Sequence, residues 1–164
     1  MFHVKQFEVV VVGGGHAGCE AALAASRMGR RTLLVSMDPH KTAEMSCNPS
    51  IGGVGKGQLV KEIDALGGEM GKNADFTGIQ FKRLNTRKGS AVQSSRCQSD
   101  KKAYAQRMQT VISEQSGLEV LKGEVKEILT DGNGVCGLNV LVEGASVEIQ
   151  TRNAVITTGT FMRG

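Results

Sequence analysis

Apolar and polar positions in the first part of the chain follow the two periods of regular structure. Residues 8–12 form a nearly continuous β-branched run, which is typical of a strand buried on both faces. Residues 19–28 are rich in alanine, which favours a helix that packs closely on a sheet and ends at Gly29. Residues 32–35 predict a second strand. Residues 7–36 therefore predict a βαβ unit of about the usual ~30 residues.

Helical and strand patterns continue to alternate through the rest of the chain. A glycine-rich loop followed by a helix occupies 45–70, and a three-stranded β-meander with glycine turns is predicted at 124–150. A returning buried strand follows at 154–158. The other predicted elements are a strand at 79–84, a helix at 98–115 and a short strand at 118–121. This order predicts an α/β fold that is Rossmann-like.

The turn between the first strand and the first helix carries a dinucleotide-binding pattern. Gly13, Gly15 and Gly18 fit G-x-G-x-x-G in the required strand–turn–helix setting. The first glycine makes the tight turn, the second admits a pyrophosphate, and the third lets helix and strand pack closely. The phosphate then meets the free N–H groups of the helix N-terminus. We name residues 13–18 the first glycine loop; its candidate cofactor contacts are Gly13, Gly14, Gly15, His16, Ala17 and Gly18.

The acidic residue that binds a ribose in many dinucleotide folds is not at its usual place. Ser36 ends the second predicted strand, and Asp38 follows two residues later. Ser36 could hydrogen-bond the ribose, or Asp38 could reach it from the loop. Asp38 could equally cap the turn before Pro39. These alternatives do not by themselves distinguish NAD from FAD.

Residues 46–57, the second glycine loop, combine a thiol, an Asn-Pro turn, four glycines and a lysine. No hydrophobic core requires that mixture. The loop is not a P-loop, because that motif needs glycine at position 50 and Ser or Thr at position 57. Its glycines predict a surface that grips an anionic, flat-sided ligand. The candidate cofactor contacts are Asn48, Gly52, Gly53 and Lys56, although Lys56 could also be an ordinary solvated lysine.

Cys47 is the candidate catalytic residue of the second glycine loop. A nearby helix N-terminus could lower its pKa and make the thiolate nucleophilic. The alternative is a small buried residue beside a ligand. The four cysteines are scattered, without CxxC spacing or a histidine cluster, so they predict a reduced chain with no metal site.

Charge is distributed unevenly although the net charge is only +4. Residues 82–107 carry eight basic residues against one acid, Asp100, whereas acids predominate at 119–150. A solvated helix surface would explain a charge run alone. Small hydrogen-bonding residues lie between the charges, which favours contact with the phosphates of a polyanion. The candidate RNA contacts of this basic segment (81–107) are Lys82, Arg83, Arg87, Lys88, Arg96 and Lys101.

Four segments together resemble the MnmG (GidA) family, the flavin subunits of the bacterial enzyme that modifies the wobble uridine of tRNA. They are GGGHAGCEAALAASRMG at 13–29, MSCNPSIGGVGKGQLVKEIDALGGEM at 45–70, FKRLNTRKGSAV at 81–92 and TTGTFMRG at 157–164. The second segment is the most specific, because Rossmann proteins in general do not carry it. The resemblance covers essentially the whole chain.

The resemblance implies a Rossmann-like FAD-binding domain of the two-dinucleotide-binding-domain flavoprotein type with a β-meander insertion. FAD would be bound at 13–18, near the backbone of Val125, and at the Thr158–Gly159 turn; Val125 could also be a plain core residue. NADH would be the reductant and methylene-tetrahydrofolate the carbon donor. The reaction adds a carboxymethylaminomethyl or aminomethyl group to C5 of U34. The implied partners are tRNA, the GTPase MnmE and a second copy, in the cytoplasm and away from membranes.

Members of that family are several times longer, so we expect residues 1–164 to be the N-terminal part of an incomplete FAD-binding domain that is inactive alone. Two other functions remain open at this point. A generic flavin- or NAD-dependent reductase of small molecules would share the fold, although the basic segment argues against it. A non-catalytic nucleotide-binding module is the third possibility.

Overall fold

A computed structural model describes residues 5–159, which divide into two compact units. The first unit comprises the described parts of 1–42 and 111–164, and the second is 43–110. Part of the fourth family-like segment, residues 160–164, lies outside the described residues. Within 5–159, none of the helices has the length and apolar character needed to cross a membrane.

The structure forms eleven strands and four α-helices in the described residues, with short 3-10 helices at Pro39–Lys41 and Ser90–Val92. In chain order they are β1 (Lys5–Gln6), β2 (Val9–Val12), α1 (His16–Arg27), β3 (Thr32–Ser36), β4 (Ser50–Gly52), α2 (Gly57–Ala65), α3 (Met70–Thr77), β5 (Gly78–Leu84), β6 (Ser94–Ser99), α4 (Lys101–Glu114), β7 (Leu118–Lys122), β8 (Glu124–Asp131), β9 (Gly134–Val142), β10 (Ala145–Gln150) and β11 (Ala154–Ile156).

The first unit is built on a parallel sheet in the order β11-β2-β3-β7. All five residues of β3 are buried, as the continuous apolar run predicts for a strand covered on both faces. Helix α1 packs against β2 and β3 through small buried residues such as Cys19 and Ala22. The predicted βαβ unit is confirmed, with the helix starting three residues earlier than its apolar pattern suggests.

An antiparallel sheet in the order β1-β10-β9-β8 completes the first unit. Its buried residues Leu138, Val140 and Ile149 join Val10 and Leu33 of the parallel sheet in one hydrophobic cluster. Burying each of these side chains contributes about 1.5–3 kcal/mol. The predicted β-meander is thus confirmed. It packs against one face of the parallel sheet, and α1 packs against the other face.

The second unit contains a small antiparallel sheet in the order β4-β6-β5, together with α2, α3 and the start of α4. Asn73 of α3 is fully buried, and its side-chain amide donates to the carbonyl of Tyr104 at 3.0 Å. A buried amide stays in place only when it is hydrogen-bonded, so this contact joins α3 to α4.

Two predictions of secondary structure within the second unit are wrong. The helix expected from residue 98 begins at Lys101, because Gln98 and Ser99 belong to β6; the Asp100 carboxylate caps the helix by accepting from the N–H groups of Lys102 and Ala103. The second glycine loop is not irregular throughout, because Ser50–Gly52 pairs with β6 as strand β4.

Candidate functional site

The first glycine loop lies at the carboxyl end of β2, between neighbouring strands β3 and β11. The chain leaves β2 for β3 on one side and returns to β11 on the other. Such a reversal in a parallel sheet leaves a crevice beyond the carboxyl ends of the strands, where ligands bind in open α/β folds. The loop therefore occupies the position that the sequence pattern requires of a dinucleotide site.

Gly13 and Gly18 are glycines because no side chain fits at either position. A β-carbon on Gly18 would lie 1.8 Å from the carbonyl oxygen of Gly13, and one on Gly13 would lie 2.5 Å from the carbonyl oxygen of Thr157. Gly13 also has φ of 110°, which disfavours any L side chain. Both glycines thus serve the close approach of loop, helix and sheet that the fingerprint requires.

Gly15 differs from its neighbours because the space around it is open. A β-carbon there would meet nothing within 4 Å, and the residue is exposed. It is the N-cap of α1, with no side-chain cap and no acidic residue in the first turn. The helix N-terminus therefore presents N–H groups and a positive dipole end to an open surface, which suits a phosphate.

Ser36 and Asp38 have different roles in the structure. Ser36 is buried beneath the loop, and a β-carbon on Gly14 would lie 3.0 Å from its Oγ. The Asp38 carboxylate accepts from the N–H of His40 at 3.1 Å and caps the 3-10 helix that begins at Pro39. The capping role foreseen for Asp38 is confirmed.

His16 begins α1 and is half-buried. Burial lowers the pKa of its imidazole below the ordinary value of 6.5, because the charged form loses solvation. The side chain is therefore neutral at pH 7, and the attraction for an anion comes from the backbone rather than from an imidazolium charge.

The lowered pKa of His16 predicts a pH-dependent stability. Between the unfolded-state pKa near 6.5 and the lower folded-state value, the unfolded chain binds a proton that the folded chain does not. The free energy of unfolding should therefore fall as the pH drops from 7.5 to about 5. Urea titrations of wild type and His16→Asn should show a weaker decline in the variant. His40→Asn controls for losing an exposed imidazole, and identical slopes for wild type and His16→Asn would contradict the prediction.

The start of the β-meander and the Thr-Gly turn both reach the same end of the parallel sheet. The N–H of Gly123 donates to the carbonyl of Ser36, the last residue of β3, at 3.0 Å, and Val125 follows Gly123 by two residues in the chain. Val125 is half-buried and packs against the hydrophobic cluster. Its strand, β8, is at the edge of its sheet, so backbone groups on its outer side face away from the ladder.

Thr157 was missing from the predicted contacts, yet it holds the first glycine loop in place. Its hydroxyl donates to the carbonyl of Val12 at 2.8 Å and is 3.1 Å from that of Gly13. Thr158 and Gly159, which were predicted, follow directly and leave the strand with Gly159 at φ of 63°. The signal available in the sequence was a threonine at the end of a predicted strand. The prediction that this strand is buried is wrong, because Val155 and Ile156 of β11 are exposed.

The second glycine loop belongs to the second unit. Cys47, Asn48 and Lys56 are exposed, and Gly52 and Gly53 have φ of 87° and 100°. The alternative that Cys47 is a small buried residue is wrong. Cys47 is also not part of the cap of α2, because β4 lies between them in the chain and Lys56 is the N-cap residue of that helix.

Three of the four arginines of the basic segment differ from the other arginines in what they contact, and the fourth, Arg107, pairs with Glu69. Within residues 5–159, Arg83, Arg87 and Arg96 make no hydrogen bond or ion pair to a side chain, whereas every other arginine does. The paired ones are Arg27 with Gln115, Arg30 with Glu8, Arg31 with Glu119, Arg107 with Glu69 and Arg152 with Asp131.

Cross-strand pairing adds to the positive charge of the basic segment. Lys82 on β5 is directly opposite Arg96 on β6, and the two share a small cleft with Gln80 and Gln98. Like charges at directly opposite positions are destabilising unless an anion offsets them. Lys101, by contrast, has a carboxylate nearby, since its Nζ lies 3.9 Å from Glu44.

Comparison with known proteins finds close relatives along the whole chain. Residues 8–164 match the family model described as glucose inhibited division protein A. The chain is 55% identical over 159 residues to the tRNA uridine 5-carboxymethylaminomethyl modification enzyme MnmG of Pelobacter propionicus, covering 97% of this chain and 25% of that protein. The MnmG of Aquifex aeolicus is 53% identical over 161 residues.

Solved structures agree with the sequence matches. The chain superimposes on Aquifex aeolicus GidA with a TM-score of 0.91 at 53% identity, covering 98% of this chain and 26% of that one. A geranylgeranyl bacteriochlorophyll reductase-like protein of Thermoplasma acidophilum shares the fold, with a TM-score of 0.66 at 16% identity. The chain thus spans about a quarter of the length of the MnmG and GidA proteins named above.

Proposed function

The chain belongs to the glucose inhibited division protein A family, and on this premise we propose that it is the FAD-binding portion of an enzyme that modifies tRNA. The observation that carries the proposal is the first glycine loop. Gly13 and Gly18 make the close approaches of the dinucleotide fingerprint, and Gly15 leaves the N-terminus of α1 open to a pyrophosphate.

In the first unit, the proposed cofactor contacts lie around the first glycine loop. The first glycine loop holds the pyrophosphate, Ser36 lies toward the ribose, and the backbone at Val125 meets the adenine. Thr158 and Gly159 border the same end of the sheet. From the second unit, the contacts are Asn48, Gly52, Gly53 and Lys56. When bound, FAD supplies the transfer of electrons from a reductant to the carbon unit added to uridine.

The remaining features of the reaction are also part of this proposal. The enzyme adds a carboxymethylaminomethyl or aminomethyl group to C5 of U34, with NADH and methylene-tetrahydrofolate as co-substrates, in the cytoplasm. It acts as a homodimer with the GTPase MnmE. The exposed thiol of Cys47 is the candidate catalytic group in this chain. Because these residues span a quarter of their relatives, we propose that they do not catalyse the reaction alone.

The basic segment supports the assignment of tRNA as substrate. Arg83, Arg87 and Arg96 have no carboxylate partner in the described residues, and Lys82 faces Arg96 across the sheet. Cations left unpaired in a fold that pairs its other arginines are available for phosphates. Arginine and lysine contacts to phosphates supply most of the affinity for a nucleic acid. We therefore assign RNA contacts to Lys82, Arg83, Arg87, Lys88 and Arg96. Lys101, whose Nζ lies 3.9 Å from Glu44, is a sixth proposed contact that would exchange this exposed carboxylate for a phosphate.

Removing charge from the basic segment should weaken tRNA binding and its dependence on salt. For the triple variant Arg87→Ala, Lys88→Ala, Arg96→Ala, the slope of log affinity against log salt should fall by about 2–3, because each lost phosphate contact releases about one counterion fewer. Fluorescence anisotropy with labelled tRNA at several salt concentrations measures the slope. The same titration with added FAD, followed by flavin fluorescence, tests cofactor binding.

The matched control removes three arginines or lysines outside the basic segment. Arg30→Ala, Lys126→Ala and Arg152→Ala change the net charge equally and disrupt only exposed ion pairs. Equal slopes for the two triple variants would remove the RNA role of the basic segment. Flavin binding with no effect of tRNA would favour a reductase of small molecules.

A further inference from the structure

The second unit contains a cavity of about 460 Å³. Its lining includes one proposed cofactor contact, Gly52, and three proposed RNA contacts, Lys82, Arg83 and Arg96, but the proposed function gives no role to its other residues. The cavity lies between helices α2 and α3 on one side and the β4-β6-β5 sheet on the other. Its apolar lining is formed by Ile51, Val60, Ala74, Phe81 and Cys97. The volume is within the range of about 300–1,000 Å³ typical of small-ligand sites.

Phe81 is the one aromatic residue that lines this cavity, and it is 61% exposed. The end of its ring occupies the space that a side chain on Gly78 would fill, since a β-carbon there would lie 2.4 Å from Cζ of Phe81. Glycine at position 78 therefore lets the end of the ring lie close to the backbone, while the residue stays largely exposed and lines the cavity. A ring held in this way is a stacking platform for a flat group.

Charged side chains surround the aromatic platform. Arg83 follows Phe81 by two residues on β5, so both side chains are on the same face of the sheet. Lys61 and Asp64 approach from α2, and Asp75 from α3. None of these four makes an ion pair within the described residues. The cavity thus offers an exposed ring, free cations for an anion, and free carboxylates that accept hydrogen bonds.

We propose that this cavity binds one nucleotide, with the base stacked on Phe81 and the phosphate held by Arg83 and Lys61. Asp64 and Asp75 accept hydrogen bonds from an N–H of the base or from sugar hydroxyls. The proposal rests on the proposed tRNA substrate, and it identifies the ligand as an unpaired nucleotide of that RNA. Proteins recognise RNA in this way, by stacking splayed-out bases on aromatic side chains.

Size and charge argue for a single nucleotide rather than the alternatives. An apolar ligand would leave the six charged side chains that line the cavity unmatched, which costs free energy when they are desolvated. A duplex is too wide for a cavity of about 460 Å³. A free mononucleotide has the same chemistry as one in RNA, so the experiment must distinguish these two sources.

Replacing Phe81 with leucine tests the stacking role, because leucine keeps apolar packing but lacks a ring. Anisotropy with a fluorescent oligouridylate and the whole 164-residue chain should show affinity about 5- to 100-fold weaker for Phe81→Leu, while Phe81→Tyr retains it. The salt slope of Phe81→Leu should stay that of wild type, because no charge is lost. Ile79→Ala, an exposed apolar residue of the same strand outside the cavity, is the matched control.

Outcomes of this experiment separate the two proposals. Equal RNA affinity for Phe81→Leu and Ile79→Ala would overturn the nucleotide site while leaving the tRNA role of the basic segment intact. UMP that competes with the oligouridylate on wild type, and competes less on Phe81→Leu, supports the site. UMP that binds through Phe81 without displacing RNA would overturn RNA as the source. Wild type that binds FAD but no RNA would instead overturn the tRNA part of the proposed function.

Discussion

Gly18→Ala should destabilise the first unit by about 3 kcal/mol or more and abolish measurable FAD binding. The added β-carbon would lie 1.8 Å from the carbonyl oxygen of Gly13 and 2.8 Å from the hydroxyl of Thr157. Both distances are shorter than a normal van der Waals contact, and the nearer atom belongs to the backbone, which cannot move aside as a side chain can. Helix α1 would have to move away from the first glycine loop, which would disrupt the turn proposed to receive the pyrophosphate.

Gly15→Ala provides the matched control for this substitution. The position has φ of −74°, which alanine adopts freely, and a β-carbon there meets nothing within 4 Å. Its stability should therefore be within about 0.5 kcal/mol of wild type. FAD affinity should still fall, because the methyl group occupies the open space that a pyrophosphate approaches.

Thermal and urea unfolding measure the stability of these two variants, and quenching of flavin fluorescence measures FAD binding. The expected result is loss of both properties in Gly18→Ala and loss of flavin affinity alone in Gly15→Ala. Gly15→Ala with wild-type affinity for FAD would contradict a pyrophosphate at this loop. Gly18→Ala with wild-type stability would contradict the close packing of α1 on the loop.

Arg107→Met should destabilise the second unit by about 2–3 kcal/mol, because it removes a charged partner of the buried Glu69 carboxylate. Arg107 donates to Glu69 at 2.9 Å and to the side-chain oxygen of Asn73 at 3.2 Å. Its guanidinium also lies 4.4 Å from the ring centre of Phe76. The Glu69 side chain is only 6% exposed, so water cannot replace the lost cation. The free energy of unfolding from urea titrations is the quantity to compare.

Two further variants identify the cause of that loss. Lys126→Met breaks a pair with Glu124 in which both side chains are about half exposed, and it should cost no more than about 1 kcal/mol. Adding Glu69→Gln to Arg107→Met should recover part of the stability, since a neutral amide is less costly to bury than a carboxylate. A similar loss in Lys126→Met and Arg107→Met would show that burial of Glu69 is not the reason.

Elements with a clear apolar period were predictable from sequence, and those held by their neighbours were not. The run at β2 and the small residues of α1 indicate their structures without tertiary context. Strand β6 has the sequence SSRCQS, in which no apolar alternation is visible. It becomes a strand because β4 and β5 pair with its two edges, and it buries small residues such as Ser94 and Ser99.

Helix α3 escaped prediction for a related reason. It buries Asn73, a polar residue whose amide is matched by the carbonyl of Tyr104 from another helix. A hydropathy pattern treats that position as exposed, because the partner that compensates its burial is 31 residues away.

The candidate site also has a part that was predictable from sequence and parts that were not. Glycine spacing identified the first glycine loop, because each glycine there answers a local steric requirement. Which arginines form ion pairs could not be derived from composition. In the sequence Arg30 and Arg83 are equivalent, and only the folded position of Glu8 shows that Arg30 is paired. The cavity beside Phe81 draws on α2, α3 and three strands, and the sequence separation between these elements hides it.

Thr157 has a consequence for how the molecule is made. Its hydroxyl and N–H both reach back to Val12, across 145 positions of the chain. During synthesis, which proceeds from the N-terminus, the βαβ unit emerges from the ribosome long before the strand that secures its loop. Contacts of such high sequence separation form late, because a long loop must close first. The nucleotide crevice therefore cannot be completed until nearly all of the described chain has been translated.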